Sequence, residues 1–199
     1  MEEGAYLVTT ARSTVESFLT EGRRRQAHDV PPRFREKRGA FVTIRTHPAG
    51  ELRGCIGRPY PSEPLIDAVR DSAADAALND PRFDAVTASE LPSLTFEVSI
   101  LTEPEHVVVR SPLDLKKAVV IGRDGVIVEW RGGSGLLLPQ VPVEEKWDID
   151  AYLSYACMKA GATPDLWLSN QIRLYSFQAV VFGEAEPSGQ VRKIPLATQ

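Results

Sequence analysis

The sequence predicts an α+β fold with mainly antiparallel strands. Its extended segments arrive as hairpins, joined by short turns such as "HPAG" at residues 47–50, and do not alternate one by one with helices. "SLTFEVSIL" (93–101) alternates cleanly, with Leu94, Phe96, Val98 and Ile100 facing one way and Thr95, Glu97 and Ser99 the other. Other segments carry apolar residues at helical spacing, which supplies helices to flank the sheets. A chain of 199 residues is long enough to bury a sizeable core as one domain.

Residues 5–22 place Leu7, Ala11, Val15, Phe18 and Leu19 on one stripe, an amphipathic helix ending near Gly22. Residues 23–38 are polar and broken by prolines, which predicts a surface connection. "GAFVTIRT" (39–46) is a strand and "ELRGCIG" (51–57) its returning partner. Residues 62–80 carry Leu65, Ile66, Val69, Ala73, Ala76 and Ala77 on a helical stripe, with Ser62 as the expected cap. The Asp80-Pro81 junction ends that helix, because the residue before a proline avoids the helical region. "SPLDLKKAV" (111–119) predicts a short helix capped by Ser111. Residues 119–141 predict three short strands with tight turns at 123–125 and 132–135. Residues 148–162 predict a helix with Ile149, Leu153, Ala156, Cys157 and Ala160 inward and Gly161 at its C-cap. Trp147 and Trp167 bracket this helix and are expected to pack its ends. "IRLYSFQAVVFGE" (172–184) predicts one long strand, and residues 185–199 a loose tail.

Composition narrows the function classes. The net charge of −4 provides no global positive field to draw the chain to nucleic acid or anionic lipid. No apolar run approaches the ~20 residues needed to span a bilayer, and the acidic start "MEEGAYLVTT" is unlike a secretory signal. Cys55 and Cys157 are too far apart in sequence for a CxxC metal pair, and two cysteines make no disulfide framework. A cytoplasmic protein with reduced thiols, no metal and no cofactor is the simplest expectation. Arginine far outnumbers lysine, and only two asparagines occur beside 15 prolines, a mix that leans toward a heat-tolerant source.

The chemistry-bearing residues cluster around Cys55. In "LRGCIG" (52–57), strand alternation sends Arg53 and Cys55 to one face, with α-carbons about 6.6 Å apart. A guanidinium at that range lowers a thiol pKa where the site is partly dry. The competing reading is that Cys55 is a small buried hydrophobe and that Gly54 and Gly57 serve close backbone packing. Of the three histidines, His47 lies in the hairpin turn, about 13 Å from Cys55 at strand spacing, and His28 and His106 fall in polar connections. A Cys-His hydrolase is therefore unsupported. Glu97 points away from the apolar face of its strand; if that side is covered, it needs an arginine, for which Arg82 and Arg53 are the candidates. If it is open, Glu97 is a solvated carboxylate. The glycines of "RGGSGLLLPQV" lead into a strand and suit a hairpin turn better than a phosphate loop. Gln140 ends that run and offers its amide to a pocket or to a neighbouring backbone. The basic cluster at 23–38 has no aromatic ladder, so a solvated loop is favoured over an RNA patch.

"LRGCIG" (52–57), "DPRF" (80–83), "FEVSIL" (96–101), "GLLLPQV" (135–141) and the stretch 144–161 together resemble the AMMECR domain family, named after a human chromosomal-region candidate. They occur in family order, and "LRGCIG" is the hallmark that carries the resemblance. "GRPYPSEPL" and Pro142 depart from the usual pattern. The resemblance implies one AMMECR-type domain over residues 1–199, two-lobed, with antiparallel sheets flanked by helices and a cleft near the hallmark. It implies no agreed catalytic residues. It suggests association with Memo-like and radical-SAM proteins. The expectation is an enzyme, or an enzyme's accessory subunit, with Cys55 as reactive or substrate-contacting thiol and Arg53 as its electrostatic tuner. Arg82 and Glu97 would form a buried pair or an anion-recognition site, and Gln140 would hydrogen-bond substrate. The alternatives are a non-catalytic protein-binding scaffold and, more weakly, an RNA-associated protein.

Overall fold

The computed structural model describes residues 2–23 and 30–196. In chain order the elements are α1 (Glu2–Glu21), β1 (Ala40–Thr46), β2 (Leu52–Arg58), α2 (Leu65–Leu78), β3 (Leu94–Leu101), β4 (Glu105–His106), α3 (Leu115–Ala118), β5 (Gly125–Trp130), β6 (Gly133–Leu137), α4 (Val141–Glu144), α5 (Ile149–Lys159), β7 (Arg173–Phe177), β8 (Ala179–Glu184) and β9 (Val191–Ile194). They form an α+β fold with two antiparallel sheets, ordered β2-β1-β3-β8-β9 and β4-β7-β5-β6. The chain divides into two compact units, the first running to Glu103 and resuming at Val180–Ile194, the second centred on Pro104–Ala179. No described helix is long and apolar enough to cross a membrane.

In the first unit, the alternation of β1 and β3 decides which face is hydrocarbon. Val42, Ile44, Leu94, Phe96 and Val98 join Leu7, Val8, Ala11 and Val15 of α1 and Leu65, Val69, Ala73 and Ala76 of α2 in one sealed core. Gly22, with φ 66°, ends α1 in the left-handed conformation that favours glycine, and Gly161 (φ 74°) ends α5 likewise. A buried ion pair lies in this unit: Arg12 of α1 grips Glu184 of β8 through Nε and Nη2, both at 2.6 Å.

The second unit packs α5 on its sheet. Leu153, Ala156 and Cys157 are buried with Val126, Val128, Leu137 and Leu174. The Tyr152 hydroxyl donates to the Asp124 carbonyl at 2.9 Å, and burial pushes this phenol far up in pKa. Trp167 is buried and donates to Ser154 Oγ, while Trp147 stacks on Tyr155 at 4.1 Å.

Several expectations are corrected. The 23–38 connection is not wholly superficial: Phe34 is sealed and stacks on Tyr6 at 4.8 Å. Helix α2 starts after Pro64 without a side-chain cap, so Ser62 is not its cap. Residues 119–121 form no strand, because Val119 closes α3 through its N–H to the Leu115 carbonyl. The long strand at 172–184 is two, β7 and β8, in different sheets. Val191–Ile194, expected in a loose tail, pairs with β8 as β9.

Candidate functional site

The helices α1 and α2 cover one face of the first unit's sheet, and the opposite face carries its polar side chains. Strand β1 lies between β2 and β3, with Thr43 directly opposite Cys55 on one side and Glu97 on the other. Thiol, hydroxyl and carboxylate therefore stand in one row across three strands. Thr43 Oγ1 donates to Cys55 Sγ at 3.3 Å. Glu97 accepts from Arg45 Nε at 3.2 Å, and their side chains are only 16% and 21% exposed. A Cβ at Gly183 would lie 2.9 Å from Glu97 Cγ, so the glycine leaves the carboxylate its room. Thr43, Thr95 and Ser99 on this face are buried. Glu97 is thus largely shielded, and the arginine bonded to it is Arg45, while Arg82 is bonded to Asp80 and Arg53 to Glu90.

Strand β2 is an edge, and the backbone N–H and C=O of Cys55 point outward from it. Asp80, whose side chain is sealed from solvent, accepts the Cys55 N–H at 2.8 Å. Arg82 holds the same carboxylate through Nε (2.9 Å) and Nη2 (2.7 Å), and Nη2 also donates to the Cys55 carbonyl at 3.2 Å. Carboxylate and guanidinium together occupy the place of a neighbouring strand, protecting an otherwise bare edge. On the helix-covered face, Gly54 lets α2 ride on β2: a Cβ there would collide with the Ala76 carbonyl oxygen.

Arg53 does not face the thiol. The β1–β2 register slips between Ile44 and Arg45, so that Ile44 pairs with Gly54 and Arg45 with Leu52. Arg53 is the extra residue of this bulge, and bulges re-aim side chains. Its Nε donates to Glu90 at 2.8 Å and its Nη1 to the Asp84 carbonyl at 2.8 Å, tying the 84–90 segment to the strand. The expectation that Arg53 tunes Cys55 is corrected: the cations that favour the thiolate are Arg82 and Arg45. Burial outweighs them and pushes the Cys55 thiol up, with Thr43 as its hydrogen-bond partner and no imidazole bonded to it among the described residues. His47 sits in the β1–β2 turn, His106 lies on β4 in the second unit, and His28 is outside the described residues.

Gln140 belongs to the second unit, just before α4, and its Oε1 is buried without a hydrogen-bond partner among the described residues. Of the basic cluster, Arg23 pairs with Glu21, Arg33 lies over the Phe34 ring and Arg35 donates to the Val30 carbonyl, while Arg24 and Arg25 are outside the described residues. Among the described residues no group of three His, Cys, Asp or Glu is placed to hold a metal ion. Asp80, Thr43 and Arg45 are the residues that sequence reasoning missed. Thr43 and Arg45 were within reach, since they are the polar members of "AFVTIRT" that a hairpin register sets beside Cys55.

Arg82 holds the Asp80 carboxyl at about 2, well below the usual carboxylate range, against an opposing push from burial. A depressed folded-state pKa stabilises above the unfolded value and is lost as pH falls through the folded one. Stability is expected to drop by at most about 2 kcal/mol between roughly pH 4 and pH 2 from this group. Asp80→Asn should flatten that part of an acid-unfolding curve; an unchanged curve would show that the clamp contributes nothing there.

The family model AMMECR1 matches residues 8–182. Protein MJ0810 of Methanocaldococcus jannaschii is 48% identical over 191 residues, covering 96% of this chain and 94% of that one. Protein MK0488 of Methanopyrus kandleri is 46% identical over 200 residues, covering 100% and 97%. The crystal structure of uncharacterized protein PH0010 from Pyrococcus horikoshii superposes with a TM-score of 0.95 at 43% identity, covering 98% of each chain. None of these names states an activity. With the family model spanning nearly all of both sheets and relatives matching end to end, this chain belongs to the AMMECR1 family.

Proposed function

We propose that the protein is an enzyme, or an enzyme's accessory subunit, whose substrate-contacting surface is the polar face of β2, β1 and β3 with Cys55 at its centre. One observation carries this reading. A sheet already packed with hydrocarbon on one face keeps a thiol, a hydroxyl and an arginine-held carboxylate in one half-buried row on the other. Holding polar groups out of water costs free energy, and chemistry or recognition is a common reason to retain them. Cys55 is a substrate-contacting thiol that rests neutral, and Glu97 with Arg45 forms the charged pair beside it. Arg82 anchors the Cys55 backbone, and Arg53 secures the segment alongside.

The upward shift of the thiol favours a second reading, a binding module without chemistry. Alkylation of the native protein, with Cys55→Ser as control, separates the two. Cys55 is expected to react slowly at neutral pH, its rate still rising above the ~8.5 of an ordinary thiol, while Cys157 stays inert. Protection of Cys55 by a low-molecular-weight fraction of cell extract supports the substrate surface. Protection by a protein fraction alone supports the binding module. A Cys55 as inert as Cys157 would overturn the substrate surface and leave the binding module.

A further inference from the structure

The clamp on Cys55 does more than close an edge. Along the outer side of β2, the carboxylate of Asp80 and the guanidinium of Arg82 meet both outward backbone groups of one residue, the one whose side chain centres the polar row. A neighbouring strand would supply a neutral N–H and C=O; here the same bonds are made by a charged pair, which is stronger, and whose cation favours the thiolate while its carboxylate opposes it. We propose that Asp80 and Arg82 are positioning residues for Cys55, fixing its backbone from the edge and holding the Arg82 guanidinium beside the thiol's own residue. This deepens, and rests on, the reading of the polar face as a substrate surface.

The groups around the thiol come from three segments. Arg82 and Asp80 approach from the turn after α2. Arg45 approaches from β1, and Glu97 stands beyond Thr43 on β3, paired with Arg45. Arg53 on β2 is turned to Glu90, and on the opposite face α2 meets Gly54 through the Ala76 carbonyl, its Asp75 being bonded to Arg58. Of the two arginines that favour the thiolate, Arg82 is the larger influence. Its side chain is 43% exposed above a fully sealed Asp80, so it can be replaced with less disturbance than the carboxylate beneath.

The test uses full-length protein labelled with carbon-13 at cysteine Cβ and with nitrogen-15. The Cβ shift of Cys55, assigned against Cys55→Ser, is followed with pH, and amide exchange is followed at the Cys55 N–H. Arg82→Gln is expected to lower the thiolate fraction at a fixed pH about three- to tenfold. Arg82→Lys keeps the charge and should titrate near the parent, yet loses the two-pronged grip, so the Cys55 amide exchanges faster. Asp80→Asn should speed that exchange most. Titration and exchange unchanged in these variants would overturn the proposal. If Arg82→Gln does not fold, exchange in Arg82→Lys decides. No substrate enters these readouts, so the two readings fail separately. A thiol that shifts as expected, on a surface that neither small molecules nor proteins protect, sinks the functional reading alone. A protected Cys55 with an unmoved titration and unmoved exchange in the variants sinks this proposal alone.

Discussion

Glu184→Ala is expected to destabilise the first unit by about 3–5 kcal/mol, the usual cost of stripping one partner from a buried ion pair. Arg12 and Glu184 are 8% and 4% exposed, and their two-pronged contact is short at both prongs. Arg12 Nη2 also donates to the Leu94 carbonyl, its guanidinium lies 4.7 Å above the Phe96 ring, and Glu184 Oε2 accepts the Phe96 N–H at 3.0 Å. Alanine at 184 would orphan that N–H and leave Arg12, among the described residues, with Glu16, 3.5 Å away and 43% exposed, as its counter-charge. Replacing both partners by apolar residues of similar size, Arg12→Met with Glu184→Leu, should recover much of the loss, since no buried charge is then left alone. All three tryptophans lie in the second unit, so none reports directly on the surroundings of this pair. Far-UV circular dichroism, to which α1 and α2 contribute most of the helix, is the appropriate signal for urea unfolding. A single-variant loss below about 1 kcal/mol would mean that water reaches Arg12 freely, and that the pair is not a buried one.

The residues that were legible in the sequence are those governed by local period. Leu94, Phe96, Val98 and Ile100 had to share a face because a strand alternates, and all four are buried. The hairpin that carries Cys55 was legible for the same reason. What escaped depends on events that no local pattern encodes. Arg53 should share a face with Cys55 in a regular strand, and a one-residue bulge, fixed by packing and not by residue type, turned it to Glu90. Glu97 was expected to find Arg82 or Arg53, but the sheet order puts β1 between β2 and β3, which makes Arg45 the neighbour. Asp80 was visible only as the residue before a proline at a helix end. Its second role requires the end of α2 to fall beside the edge of β2, a fact of tertiary packing. The run 172–184 concealed a change of sheet because both halves are apolar, with Leu174 and Phe177 buried in one unit and Val181 and Phe182 in the other.

Gly54→Ala should cost about 2–3 kcal/mol, within the range for forcing extra volume into a packed interior. The obstacle is a backbone atom. A Cβ at Gly54 would strike the carbonyl oxygen of Ala76, within the last turns of α2, and a main-chain carbonyl cannot rotate aside as a side chain does. The contrast with Gly4 makes the point testable. There the atoms nearest the added Cβ belong to the ring of Phe182, so Phe182→Leu should restore part of the stability lost in Gly4→Ala. No truncation at position 76 should rescue Gly54→Ala, because alanine and glycine carry the same carbonyl. Helix α2 must instead lift from β2, and Asp80 follows two residues after its end. The Cys55 N–H bond to Asp80 is therefore expected to weaken in the same variant, read as faster amide exchange at Cys55 than at the Val42 and Val98 amides. An unfolding midpoint unchanged in Gly54→Ala would show that α2 does not rest on β2 at this glycine. The link from helix packing to the thiol's surroundings would then be lost with it.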